Sequence, residues 1–333
     1  MFAPTSPGAR RVVSIGGGTG QPALIGALRA LARPLVLTAV VAMADDGRSS
    51  GILREREHML PPGDLRKCMV ALAADPTGPL SRALEHRFAY LDNHALGNLL
   101  IAAMADETGD FMGTIETVED LLGCVGRTLP STLDPVTIAG ETRSGERVRG
   151  QANLSYGSGP LRRVWLEPAA PAAFEPAAAA IRDADLVVIG PGSLFTSLMP
   201  NLLVPGIAAA LAETRARRVF VCPKANVPGE TEGAAAEDYL DSLDEAGFLG
   251  LIDVALIHRR DETSRPGFLS RDPRAALFPD VELSEEAERR LAGRVPGLLV
   301  RDMADEADCT AHDLRRLAAA LGEVIDGCPS ARR

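Results

Sequence analysis

One stretch near the start constrains the fold more than any other. Residues 11–43 run RVVSI, three glycines and a threonine-glycine pair, QPALIGALRALA, then RPLVLTAVVAM. The outer pieces are short apolar runs rich in β-branched residues, as strands buried on both faces are. The middle piece carries apolar residues at helical spacing, and Pro22 suits a first helical turn. Strand, glycine turn, helix and strand are the opening of a doubly wound α/β fold.

The alternation pauses and then returns. Helical segments are expected at 61–74, 79–89, 94–107 and 113–124, a mostly α block over 61–124. From residue 126 the runs shorten and alternate around DP and SG turns, which reads as a small β insertion of hairpins over 126–168. Beyond it, helices at 174–184, 204–214, 234–246, 284–292 and 311–325 interleave with strands at 185–190, 217–222, 251–257 and 297–303. No repeat of solenoid period occurs. The pattern predicts one α/β domain over 11–327, with a mostly parallel sheet, after a disordered tail at 1–10.

Composition removes several function classes. The net charge is −10 with no basic stripe, and aromatics are 4%, so neither phosphate neutralisation nor base stacking supports a nucleic-acid partner. No apolar run reaches membrane-spanning length, and the start MFAPTSPGARR has no apolar region after its arginines, so the cytoplasm is expected. The five cysteines (Cys68, Cys124, Cys222, Cys309, Cys328) form no CxxC, which fits a reducing compartment without structural zinc. Lys67 and Lys224 are the only lysines, and both stand near polar clusters.

In an open parallel sheet, ligands bind beyond the carboxyl ends of the strands. Six loops there carry polar chemistry. In the first, Gly16, Gly17, Gly18, Thr19 and Gly20 lead into a helix, and Gly18 to Ala23 fits G-x-G-x-x-A. Glycines let backbone N–H groups approach a phosphate at a helix N-terminus, although a tight packing turn needs glycine too. In the second, Asp45 and Asp46 end the next strand, followed by Ser49 and Ser50. An acid there holds a ribose in dinucleotide enzymes, and two acids beside a phosphate loop suit Mg²⁺. The serines suit a helix cap or a phosphate. In the third, PPGDLR, Asp64 suits an N-cap and Arg66 is placed to meet an anion bidentately.

In the fourth loop, HALGNLL, His94 and Asn98 lie four apart, on one face of the expected helix. Gly97 between them predicts a close approach by a ligand or another helix. In the fifth, Gly190, Gly192, Ser193, Thr196 and Ser197 form a second glycine-serine loop after a strongly apolar strand, as a two-sided nucleotide crevice requires. In the sixth, Asn226 and Glu230 are candidates for a sugar or base contact, or members of a plain polar loop. There is no nucleophile elbow and no Walker motif.

Taken in order and spacing, GGGTG, ADDGRSSG, PPGDLR, HALGNL, GPGSLFTSLMPNLLVPGI and PGETEG resemble the gluconeogenesis-factor family (YvcK type), within the wider superfamily of 2-phospho-L-lactate transferases (CofD type). The likeness covers almost the whole chain. It implies a Rossmann-like core in a cytoplasmic bacterial protein that binds a UDP-sugar such as UDP-N-acetylglucosamine. It implies a regulatory role in carbon partitioning, cell-wall precursor supply and cell shape. That role calls for a protein partner and leaves a homo-oligomer open.

The related transferases move a phospholactyl group from a guanosine diphosphate carrier to a deazaflavin with Mg²⁺, in coenzyme F420 synthesis. On that reading Asp45 or Asp46 holds the ion and His94 assists proton transfer. Whether this chain turns over a substrate is open. An NAD(P) oxidoreductase rests on the G-x-G-x-x-A match alone. Arg48 stands where the resemblance expects glycine, and Lys67 where it expects asparagine; both add positive charge beside the phosphate loop.

Overall fold

The computed structural model describes residues 8–155, 157, 159–261 and 277–327, with the side chain of Arg48 outside the description. The strands are β1 (Arg10–Gly16), β2 (Leu35–Val41), β3 (Arg87–Phe88), β4 (His94–Ala95), β5 (Gly126–Pro130), β6 (Thr137–Thr142), β7 (Arg147–Arg149), β8 (Leu161–Glu167), β9 (Leu186–Ile189), β10 (Arg217–Val221), β11 (Val254–His258) and β12 (Gly297–Arg301). Seven form one sheet in the order β12-β11-β10-β9-β1-β2-β5, every pair parallel. From β1 the chain steps outward through β2 and β5. It then returns to β1's other side and steps outward again from β9 to β12. The order therefore reverses between β1 and β9, the crevice where such sheets take ligands.

The strands are legible because helices cover the sheet. Val12, Val13 and Ile15 of β1, and all four residues of β9, are buried. Helix Gly20–Ala30 turns Leu24, Ile25, Ala27 and Leu28 inward and packs on helices Gly63–Leu72 and Leu314–Asp326. Gln21, also fully buried, donates to the carbonyls of Ser14 in β1 and Val40 in β2 and so ties both strand ends to the start of that helix.

Four local expectations change. Gly126–Pro130 is not a hairpin arm but the parallel edge strand β5, with Leu37 of β2 opposite Gly126; the insertion proper is the antiparallel trio β7-β6-β8. Helix Arg48–Glu57 follows the acid pair directly, with Gly47 at its cap, so Ser49 and Ser50 sit inside its first turn. Pro62 occupies the N-cap ahead of Gly63–Leu72, which leaves the Asp64 carboxylate to bond elsewhere. His94 lies in β4, opposite Phe88, and its helix starts only at Leu96. The expected tail lies outside the described residues as far as residue 7, and so does Cys328. Cys68, Cys124 and Cys222 are free. Among the described residues no single helix is long and apolar enough to cross a membrane.

Candidate functional site

The loops after β1 and β9 meet across the crevice. Gly18 takes a φ of 65°, the left-handed region that favours glycine. A Cβ on Gly20 would stand 2.3 Å from the Pro191 carbonyl oxygen and 2.9 Å from the Gly192 Cα, so backbone touches backbone there. Ser197 faces Gly17 and Gly18: Cβ atoms built on those glycines would lie 3.6 Å from its Cβ and 3.2 Å from its Oγ. In front of this junction opens a chamber of about 630 Å³, lined by Gly18, Thr19, Gly20, Gly192, Ser193 and Thr196 among others. Its size lies in the range of small-molecule sites. Helix Gly20–Ala30 directs its positive end into it.

A second chamber, of about 440 Å³, lies beyond β2. It is lined by Asp45, Gly47, Ser49, Ser50, Gly63, Lys67, Asn98 and others. Gln151 and Ser155 of the insertion line both chambers. The sequence gives no sign of either residue, because the insertion reaches them to the cleft from far along the chain. Gly63 is required here, since a Cβ would lie 2.5 Å from Ser50 Oγ and 3.0 Å from Asp45 Oδ2.

The acid pair splits. Asp46 accepts from the backbone N–H groups of Gln151 and Ala152, at 3.0 and 2.8 Å, and thereby caps the short helix Gln151–Leu154. Asp45 bonds elsewhere, accepting from Gly47 N at 3.0 Å. Burial pushes the Asp45 pKa up, and the Asp64 charge pushes it further; bonds from Ser50 and Gly47 and the Lys67 ammonium oppose this. Asp64 does not cap its helix. Its Oδ2 accepts from Gly18 N at 2.6 Å, and its Oδ1 from Lys67 Nζ at 2.8 Å. Burial pulls the Lys67 pKa down, but Asp64 and Asp45 outweigh it and hold the pKa above its ordinary value.

His94, Ser49, Asn98 and Arg66 form one buried chain of bonds. Ser49 Oγ lies 2.7 Å from His94 Nδ1 and accepts from Asn98 Nδ2 at 2.9 Å. Arg66 donates to Asn98 Oδ1 at 2.5 Å and grips Glu85 with Nε and Nη2, at 3.1 and 3.2 Å. It is 1% exposed. Arg66 is therefore bidentate to the protein's own carboxylate rather than to a ligand anion. Gly97 leaves room for its stem: a Cβ there would lie 2.6 Å from Arg66 Cδ.

The sixth loop changes role most. Glu230 is fully buried. Its Oε1 accepts from Ser193 Oγ and from Phe195 and Thr196 N–H groups at 3.0 and 3.3 Å; its Oε2 accepts from Thr196 Oγ1 at 3.0 Å and Ser155 Oγ at 3.3 Å. The glycine-serine turn does hold an anion, and the anion is this side chain. Burial pushes the Glu230 pKa up while these donors pull it down. Asn226 is likewise engaged internally, donating to the Ala234 carbonyl at 2.8 Å and accepting from Tyr239 OH at 3.0 Å. The second loop thus forms a wall of the first chamber; in the first loop Gly18 N is taken by Asp64, and Thr19 and Gly20 line the chamber beside it.

The chain resembles known proteins over most of its length. The family model for 2-phospho-L-lactate transferase CofD matches residues 12–279. A relative from Bacillus subtilis named gluconeogenesis factor is 36% identical over 320 residues, covering 95% of this chain and 98% of that one. A longer relative from Nostoc sp. is 39% identical over 289 residues, and the match spans 86% of this chain and 62% of the relative's length. A crystal structure of a UPF0052-family protein from Bacillus halodurans superposes with a TM-score of 0.84 at 34% identity, covering 94% of this chain and 99% of that one.

Proposed function

The chain belongs to the CofD family, among its gluconeogenesis-factor members, and from that premise we propose that it binds a UDP-sugar of the UDP-N-acetylglucosamine kind and regulates by its occupancy. One observation carries the reading: the glycine loops after β1 and β9 abut at the reversal of strand order, with the larger chamber directly before them. The pyrophosphate lies over the backbone of 17–20 and the positive end of helix Gly20–Ala30. The nucleoside occupies the larger chamber, and the sugar extends past Gln151 and Ser155 toward Asp45, Ser49 and Asn98. Occupancy then reports to a protein partner in control of carbon partitioning and cell-wall precursor supply, and through them of cell shape.

Two other readings are weaker on the geometry. A dinucleotide enzyme needs a free acid at the end of β2 for the ribose; Asp46 caps the insertion and Asp45 sits in the Asp64–Lys67 cluster. A transferase needs Mg²⁺. The Asp45–Asp46 pair is a poor fit for that ion, because both Asp46 oxygens accept backbone N–H bonds and so hold that carboxylate on the start of helix Gln151–Leu154. Calorimetry with UDP-N-acetylglucosamine, GDP and NAD, each with Mg²⁺ and with EDTA, tests the proposal. UDP-N-acetylglucosamine is expected to bind most tightly. Tight binding of NAD with no response to the UDP-sugar refutes it.

A further inference from the structure

The cleft contains a positive charge where a nucleotide site often recruits a metal. Lys67 is one of two lysines in the chain, and it lines the second chamber. Its ammonium bonds Asp64 Oδ1 at 2.8 Å, while Asp64 Oδ2 accepts from Gly18 of the phosphate loop at 2.6 Å. The same ammonium acts on Asp45, whose Oδ2 lies against Gly63. One cation therefore bonds one carboxylate and shares a chamber with a second, and the carboxylate it bonds also holds Gly18 of the phosphate loop. Its side chain is 25% exposed, so it faces the chamber and is not sealed beneath it.

A divalent ion bridging Asp45 and Asp64 would have to share an Asp64 oxygen with Gly18 N or with the Lys67 ammonium, and the ammonium charge beside it would repel it. Three N–H bonds radiate from an ammonium, and Asp64 takes one of them. The others remain for phosphate oxygens at the junction of the two chambers.

We propose that Lys67 is the resident cation of this site. It grips the sugar-side phosphate of a nucleoside diphosphate and replaces the divalent ion, so this chain binds its ligand without metal. The inference rests on the UDP-sugar reading for its ligand, but its metal-exclusion arm does not.

Two measurements test it on the full chain. In the first, Mn²⁺ is titrated into ligand-free protein and followed by electron paramagnetic resonance. The wild type is expected to leave the free-ion signal undiminished, and Lys67→Gln to quench it by creating a site that Asp45→Asn in the same variant removes. In the second, UDP-N-acetylglucosamine is titrated in EDTA and in Mg²⁺. Wild type and Lys67→Arg are expected to bind within twofold in the two buffers. Lys67→Gln is expected to lose at least tenfold in EDTA and to regain most of it with Mg²⁺.

Mn²⁺ binding to the wild type that Asp45→Asn abolishes overturns the proposal. So does wild-type nucleotide binding that requires Mg²⁺, or a folded Lys67→Gln that takes up no Mn²⁺. If no variant binds the UDP-sugar in either buffer, the functional reading fails by itself, and the Mn²⁺ titration still decides whether Lys67 excludes a metal. Should Lys67→Gln not fold, the wild type and Lys67→Arg decide on their Mn²⁺ uptake and EDTA response.

Discussion

Gly20→Ala separates two arguments of opposite sign. Gly20 is the first residue of helix Gly20–Ala30 and its φ lies outside the left-handed region. Backbone entropy and helix propensity alone make alanine there better than glycine by about 0.5–1 kcal/mol. The structure predicts the reverse. The new methyl would stand 2.3 Å from the Pro191 oxygen and 2.6 Å from its carbonyl carbon, against a comfortable separation of about 3.5 Å. The atoms it meets are backbone, so no side chain can swing aside. The loops must part by about 1 Å, and overpacking of this kind costs roughly 1–3 kcal/mol.

The net expectation is a loss of about 1–2 kcal/mol, with a fall of several degrees in melting temperature. Affinity for UDP-N-acetylglucosamine should drop at least tenfold if the displaced backbone receives the phosphates as proposed. Gly26→Ala is the internal control. It lies in the same helix, and its Cβ would meet only the Leu314 methyls, the nearest at 3.7 Å. It should stabilise by about 0.5–1 kcal/mol and leave binding alone. Thermal melts and calorimetry on both variants suffice. A Gly20→Ala protein as stable as Gly26→Ala, with affinity intact, would falsify the abutting-loop geometry on which the site is built.

Glu230→Gln keeps an amide oxygen on the Phe195 and Thr196 N–H groups but turns its NH₂ to the Thr196 and Ser155 hydroxyls, which must then accept instead of donate, and should cost about 1–2 kcal/mol in urea denaturation. Asp46→Asn weakens the cap of Gln151–Leu154 and should cost about 1 kcal/mol, while leaving any Mg²⁺ response of nucleotide binding as in the wild type. A metal ligand would behave otherwise in the same titration. Burial depresses the pKa of His258 to about 4 and of His312 to about 3, and protonating His258 breaks its bond from Met303 N. Depressed in the fold, both histidines contribute stability that is complete above pH 6.5 and lost as pH falls, by up to about 3 kcal/mol for His258. Burial raises Glu119 to about 7, so its contribution runs the other way and fades as pH rises through 7. Denaturation midpoints should therefore fall between pH 6.5 and 4, with a shallower slope for His258→Asn.

The main strands and most helices can be read in the sequence because burial leaves a period. Runs such as LVLTAVV and LVVI are apolar on both faces, and Gly20–Ala30 has one apolar stripe. β5 shows no such mark. GRTLP is short and bounded by glycine and proline, and what places it is the backbone ladder to β2. Helix Arg48–Glu57 is equally silent: RSSGILRERE is polar nearly all round. It is held by Arg54, which donates to the carbonyls of Asp45 and Val136 at 3.0 and 2.7 Å.

At the site, glycine marks the loops, since close approach and left-handed backbone need it. It does not mark who approaches. Gly18 on Asp64, Ser193 on Glu230 and Glu85 on Arg66 lie 46, 37 and 19 residues away, and no spacing rule connects these pairs. For that reason Arg66 and Glu230 read from sequence as ligand contacts, although both turn inward.

With Glu230 seated among its donors, the turn at 193–196 is rigid before any ligand arrives. The entropy of ordering that side of the cleft is lost once, when the chain folds, and not again at each encounter. Sulfate or inorganic phosphate in a crowded buffer meets no vacant seat there. On the proposed reading, competition from small oxyanions is confined to the opposite rim, and discrimination rests on the rest of the nucleotide.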